Sequence, residues 1–87
     1  MKIKKGDLFA VQTGDYVGQM FVVVDQTKDV VDCLSVPSMQ NVNVTEEKFD
    51  FGRNNGIIEY VETVTKDVFN VIHAQYTKNA NINNRFK

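Results

Sequence analysis

The chain has 87 residues, of which 43% are hydrophobic and 24% are charged. This length predicts one domain with a single core, and no apolar run approaches the roughly 20 residues of a membrane span. No apolar segment follows the basic start, so a signal peptide is not expected. The one cysteine, Cys33, cannot form an internal disulfide, which indicates a reducing, cytoplasmic setting.

Charge is distributed unevenly along the chain. The formal net charge is −1, but between Gly6 and Thr77 four basic residues stand against eleven acidic ones. The remaining basic residues lie at the two ends: Lys2, Lys4, Lys5, Lys78, Arg85 and Lys87. This asymmetry predicts basic ends that contact an anionic partner. The alternative is that the terminal lysines only keep a small protein in solution.

Three strands are predicted in the first half of the chain. The first covers residues 7–12 and the second residues 19–25. The apolar run 20–24 is too short for a typical helix and is strongly β-prone, which predicts a central strand buried on both faces. The third strand covers residues 30–36 and ends at Pro37, because proline cannot donate to a central ladder.

Two further strands follow. Residues 39–44 alternate, with Val42 and Val44 on one face and asparagines on the other, which predicts a half-buried edge strand. An unpaired edge invites pairing with a second copy, so a homodimer through this edge is one expectation. Residues 52–56 predict a turn because Asn-Gly tolerates positive φ, and residues 57–63 predict a fifth strand.

Helical structure is predicted at two places. Thr45 can cap a short helical turn, and Thr65 can cap an amphipathic helix that runs to about Lys78. Its apolar stripe is formed by Val68, Ile72 and Tyr76. The domain is therefore expected over residues 1–78, with residues 79–87 as a flexible, Asn-rich basic tail.

Catalysis and metal binding find little support in the sequence. The only histidine, His73, and Cys33 would make a nucleophilic pair. A cysteine in mid-strand between apolar neighbours, however, usually behaves as a small hydrophobe, and a metal site needs three or four ligands. Glu46, Glu47 and Asp50 are adjacent in a polar loop, as in a solvated face. We expect no catalytic residues, no metal and no cofactor.

Five short strands and a helix predict a mainly β fold with one C-terminal α-helix, arranged as a small curled barrel. The stretch from Lys5 to Val11, Gly14, Gly18 and the stretch from Phe21 to Val24 resemble the opening of KOW-type, SH3-like barrels. The resemblance covers about the first quarter of the chain, and it implies an SH3-like barrel of about five strands. Phe21 stands near where a KOW motif usually has a further glycine.

The same opening is similar to that of the PemK/MazF-like toxin ribonucleases, which are SH3-like barrels with helices. This similarity implies an alternative function as a small ribonuclease. Those enzymes have a basic, hydroxyl-bearing active face, for which Arg53 is the candidate cation. Substitution of Arg53 and His73 should then abolish cleavage.

The small size, single proline and nine asparagines resemble the accessory proteins of large AT-rich bacteriophages. Such proteins often inhibit host enzymes or defence systems, including toxin–antitoxin ribonucleases. We therefore expect a non-catalytic module that binds RNA or a host protein with a basic face, acting as an antitoxin-like inhibitor in the host cytoplasm.

RNA binding would depend on phosphate contacts and on stacking of bases. The residues expected to contact phosphates are Lys2, Lys4, Lys5, Arg53, Lys78, Arg85 and Lys87. The aromatic residues expected to stack on bases are Tyr16, Phe49, Phe51 and Phe86. The acidic body would repel phosphate and would complement a basic enzyme face, so RNA and a protein both stay candidate partners, alone or together.

Overall fold

A computed structural model describes the backbone of residues 3–85 and the side chains of residues 3–82. The elements in chain order are β1 (Asp7–Val11), β2 (Met20–Thr27), β3 (Val30–Val36), β4 (Gln40–Thr45), α1 (Glu46–Asn54), β5 (Ile58–Thr63) and α2 (Lys66–Arg85). The strands form one antiparallel sheet in the order β4-β3-β2-β1-β5. The sheet is curled but not closed into a barrel, since β4 and β5 do not pair within the described part of the chain. The mainly β fold with a C-terminal helix is confirmed.

Strand β2 lies at the centre of the sheet and is buried on both faces, as its apolar run predicts. On one face Phe21 and Val23 pack with Phe49 of α1. On the other face Val22 and Val24 pack with Ile72 of α2. We call these the α1 face and the α2 face. The two helices therefore lie on opposite faces of the sheet. The sheet and its core separate a surface on one helix from a surface on the other.

The Gly-Asp pair at the start of β1 ties that strand to the end of the neighbouring edge strand β5. Gly6 has φ +90°, a left-handed conformation that favours glycine, and its carbonyl accepts from the Val64 N–H at 2.9 Å. The carboxylate of buried Asp7 accepts from the Lys4 N–H at 2.8 Å and from the Thr63 hydroxyl at 2.7 Å. These bonds hold the β5–α2 connection against the beginning of β1.

Helix α1 is longer than the single turn that the sequence predicts. Thr45 caps it, accepting from the Lys48 N–H at 3.2 Å. The helix then continues through Gly52, so the prediction of a turn over residues 52–56 is wrong in its first half. Burial of Phe49 in the core holds this helix in place, and the turn is confined to its end, where Gly56 has φ +70°.

Helix α2 begins as predicted, with the Val68 N–H donating to the Thr65 hydroxyl at 3.3 Å. The sequence predicts an end near Lys78, but the helix continues through Arg85, over most of the segment expected to be a tail. Tertiary contacts explain part of this extension. The Asn79 side chain donates to the Met39 carbonyl at 3.0 Å and to the Asn41 side chain at 3.1 Å.

Asparagines on β4 join the rest of α2 to the sheet. The Asn41 side chain donates to the Tyr76 carbonyl at 3.1 Å, and the Asn43 side chain donates to the Tyr76 hydroxyl at 2.8 Å. Asn43 also donates to the Asp32 carboxylate at 2.6 Å. We call Asn41, Asn43 and Asn79 the asparagine clamp. The valines of β4 therefore pack on the face covered by α1, and its asparagines form hydrogen bonds with α2.

Candidate functional site

Helix α2 covers only part of its face of the sheet. In the described chain its backbone approaches that of β2, β3 and β4 but not that of β1 or β5. Side chains of the first three strands therefore remain accessible beside it and form a groove of about 340 Å³. We call this the α2 groove; its apolar lining is Leu8, Met20, Val22, Val36, Val64, Val68 and Ile72.

Several apolar side chains at and beside the α2 groove are exposed to solvent. Met20 on its floor is 41% exposed, and Val68 on its helical wall is 46% exposed. Val71 is 65% exposed and lies three residues after Val68, on a neighbouring part of the same helix surface. Clustered apolar exposure of this kind is typical of interaction sites.

The charge at the α2 groove is negative. Among the described residues that line it, Glu62 on β5 is the only charged one. Glu59, also exposed, lies on the same edge strand, opposite Ala10 of β1. Gln12 donates to the Glu59 carboxylate at 3.3 Å. The lining of the groove therefore carries one carboxylate, that of Glu62.

A second cleft, of about 510 Å³, lies at the end of α1 and contains Arg53. The Arg53 guanidinium is 3.3 Å from the Asp50 carboxylate, and Glu59 also lines this cleft. Tyr60 is 40% exposed here, packing edge-on against Phe9 at 5.8 Å between ring centroids. No local sequence pattern marks Tyr60 as a site residue, because its exposure follows from the edge position of β5.

The basic residues predicted to contact RNA do not form one surface. Lys4 and Lys5 are exposed at the start of β1, and Lys5 lies 3.7 Å from the Asp25 carboxylate. Arg53 is on α1 and Lys78 on α2, so they lie on opposite sides of the sheet. Lys2 and Lys87 are outside the described residues, and the side chain of Arg85 is also outside them.

The aromatic residues proposed for base stacking divide into two groups. Tyr16 is about half exposed and Phe51 is 60% exposed. Phe49 is only 3% exposed and packs edge-on against Phe9 at 5.0 Å, so the prediction that it stacks on bases is wrong. The spacing of two residues places Phe49 and Phe51 on different sides of α1, and only one can reach solvent. Phe86 is outside the described residues.

Cys33 and His73 are not brought together as a nucleophilic pair. Cys33 is fully buried among residues of the α1 face, whereas His73 is exposed on α2, with its ring 5.8 Å from that of Phe69. Burial, reinforced by the charge of Asp32, raises the pKa of the Cys33 thiol to about 12. A thiol with this pKa stays protonated at neutral pH and is a poor nucleophile.

The acidic residues at the start of α1 form a shallow depression of about 500 Å³, lined by Asp29, Thr45, Glu46, Glu47 and Asp50. Glu46 and Glu47 lie in the first turn of α1, where the helix dipole favours carboxylates. The Glu46 N–H donates to the Asp29 carbonyl at 2.8 Å. This cluster therefore has a structural reason to be acidic, in addition to any role in binding.

The edge strand β4 is confirmed, but its valines do not form an outward surface. Val42 and Val44 are half-buried and pack against the core of the α1 face. A second copy would therefore meet the backbone edge of β4 rather than these side chains. Dimerisation through this edge stays a prediction.

No family model, curated protein or solved structure matches this chain. Neither described helix is long and apolar enough to cross a membrane. Within the described residues, no three side chains of His, Cys, Asp or Glu are grouped as a metal site would require. Function has to be inferred from the surface alone.

Proposed function

We propose that this chain is a non-catalytic module that binds another protein and acts as an inhibitor of the antitoxin type. The α2 groove is the observation that carries the proposal. It combines exposed apolar side chains, Met20 and Val68, with a carboxylate at the rim, Glu62. An apolar centre with a polar rim is the usual anatomy of a protein interface.

Charge supports a protein partner over RNA. Two of the cations expected to contact phosphates, Lys5 and Arg53, each lie within ion-pair distance of an aspartate of the same chain. A cation already paired contributes less to phosphate binding, which depends on releasing counterions from the nucleic acid. The acidic surface instead complements a basic enzyme face. The compositional similarity to phage accessory proteins makes a host ribonuclease toxin the first partner to test.

Capture from a bacterial lysate tests the proposal. The tagged chain is incubated with lysate that has or has not been treated with ribonuclease, and the retained protein and RNA are both identified. We expect a protein that stays bound after ribonuclease treatment. Retention of RNA alone, or of no macromolecule, would contradict the proposal.

RNA binding is the second candidate, and the cleft that holds Arg53 and Tyr60 favours it. An exposed tyrosine beside a guanidinium can stack a base while a phosphate is bound nearby. Anisotropy of labelled single-stranded RNA, titrated over a salt series, measures this directly. If the cleft binds RNA, Tyr60→Ala should weaken binding and the wild type should show a negative slope of log K against log salt.

The ribonuclease alternative requires Arg53 and His73 in one active site. These residues are on α1 and α2, on opposite faces of the sheet. We therefore expect RNA incubated with the purified chain to stay intact. Cleavage that is lost on substitution of either residue would support the enzyme instead.

A further inference from the structure

We infer that the α2 groove accepts an amphipathic α-helix of the partner, with lysine or arginine residues flanking its apolar stripe. This inference rests on the proposed function and names the segment that the partner would present. It follows from three features of the groove: its shape, its exposed apolar residues and the sign of its charge.

The shape fits a helix that lies beside α2. The groove has the sheet residues Leu8, Met20 and Val36 as its floor and α2 as one wall. The backbone of α2 does not approach β1 or β5 in the described chain, so this part of the sheet is open between α2 and the border formed by Glu62, Thr63 and Val64. Two helices on one sheet pack about 8–10 Å apart, so a helix docked beside α2 would lie over this open part.

The exposed apolar residues are placed to contact such a helix on two sides. Met20 would lie beneath it. Val68 and Val71 follow the i, i+3 spacing of one helix surface and would face it from α2. An extended segment would contact the floor but would leave Val71, which is not among the residues lining the groove, uncovered. A helix therefore accounts for more of the exposed apolar surface than a strand does.

The charge selects a basic helix. Glu62 lines the groove and Glu59 lies further along the same edge strand. Cations next to the apolar stripe of the incoming helix would pair with the Glu62 carboxylate, whereas acidic residues there would be repelled.

Binding of synthetic peptides tests the inference. The probe is a labelled peptide of about 18 residues, or five helical turns, with leucines at helical spacing and lysines beside them. One comparison peptide has the same composition in scrambled order, and another has glutamate in place of lysine. Anisotropy gives the affinity of each for the wild-type chain.

Variants of exposed residues locate the binding site. Val68→Lys places a cation on the groove wall, Val71→Lys places one on the neighbouring surface of α2, and Glu62→Lys reverses the charge of the rim. Phe51→Lys is the matched control, because Phe51 is 60% exposed but lies on α1, across the sheet. Circular dichroism melts establish that each variant is folded before its affinity is compared.

We expect the Leu/Lys peptide to bind the wild type and Phe51→Lys equally. Its affinity should fall about tenfold in Val68→Lys and Val71→Lys, which corresponds to about 1.4 kcal/mol. Glu62→Lys should weaken the Leu/Lys peptide and strengthen the Leu/Glu peptide. Equal binding of the scrambled peptide, or affinities that the groove variants leave unchanged, would overturn the inference.

Failure of this inference can be distinguished from failure of the proposed function. If the wild type captures a protein from lysate and Val68→Lys captures it equally, the groove is not the docking site and the proposed function stands. If no protein is captured by any form, the proposed function itself fails. A concentration-dependent dimer in sedimentation that Val71→Lys abolishes would make a second copy the occupant and would also overturn the inference.

Discussion

The asparagine clamp should contribute measurably to stability, and Asn79 is the residue that tests it. Its side chain makes three hydrogen bonds: to the Met39 carbonyl, to the Asn41 side chain and from the Gln75 side chain at 2.8 Å. Each is worth about 0.5–1.5 kcal/mol net. Because the site is only partly buried, we take about 1.5–3 kcal/mol for all three. Alanine is a better helix former than asparagine by about 0.6 kcal/mol, so Asn79→Ala should lose about 1–2.5 kcal/mol.

Asn81→Ala is the matched control, since Asn81 is exposed on the same helix. It should gain about 0.6 kcal/mol from helix propensity alone. The difference between the two variants then isolates the hydrogen bonds of the Asn79 side chain, two to β4 and its preceding turn and one within α2. In urea unfolding, with a slope of about 1 kcal/mol per M, the midpoints should lie at least about 1.5 M apart. Coincident midpoints would refute the reasoning, because α2 would then extend past Lys78 without being anchored to β4.

Three further predictions concern the core. Phe49→Ala should lower the free energy of unfolding by about 3–5 kcal/mol, whereas Phe51→Ala should change it by less than about 0.5 kcal/mol; equal urea midpoints would contradict the packing. Gly52→Ala should stabilise α1 by up to about 1 kcal/mol, because an added Cβ would lie at an ordinary 3.4 Å from Ile58; a thermal melt showing a loss would mean that Ile58 cannot adjust. Burial raises the pKa of Cys33 from 9.0 to about 12. The unfolded thiol therefore ionises first, and stability should fall above about pH 9 by up to about 1.4 kcal/mol per pH unit. Urea unfolding at several pH values should show this slope for the wild type and a reduced slope for Cys33→Ala.

The strands of the sheet could be predicted from the sequence because the residue patterns that indicate them are local. The apolar run of β2 predicts a strand with two buried faces, and both helices do pack on it. The alternation along β4 predicts one buried and one polar face. Pro37 marks the end of β3 and Thr65 marks the beginning of α2, and both boundaries depend only on neighbouring residues. Each of these features is decided within a few residues along the chain.

The errors arose where distant contacts override local preference. Gly52 favours a turn by itself, but Phe49 anchors α1 in the core and the helix continues through the glycine. Asn79 opens a polar, Asn-rich segment typical of a tail, yet it bonds to Met39 and Asn41, about 40 residues earlier. No sequence pattern near Gly52 or Asn79 indicates the distant contacts that determine the local structure there.

The α2 groove could not be predicted from the sequence because it, too, depends on contacts between distant residues. Leu8, Met20 and Val68 each belong to an ordinary apolar pattern, and their strands and helix are all predicted. Their exposure depends on where α2 crosses the sheet. The asparagine clamp, which joins α2 to β4, helps to fix that position. The charge asymmetry did anticipate an acidic body, but not that Lys5 and Arg53 lie against aspartates.

Mapping of amide chemical shifts tests the central claim most directly. The isotope-labelled chain is titrated in parallel with the protein recovered by capture and with single-stranded RNA. A protein-binding module of the kind proposed should show saturable shifts around Leu8, Met20 and Val68 with the protein, and none with RNA. Shifts that RNA alone induces, centred on Arg53 and Tyr60, would contradict it.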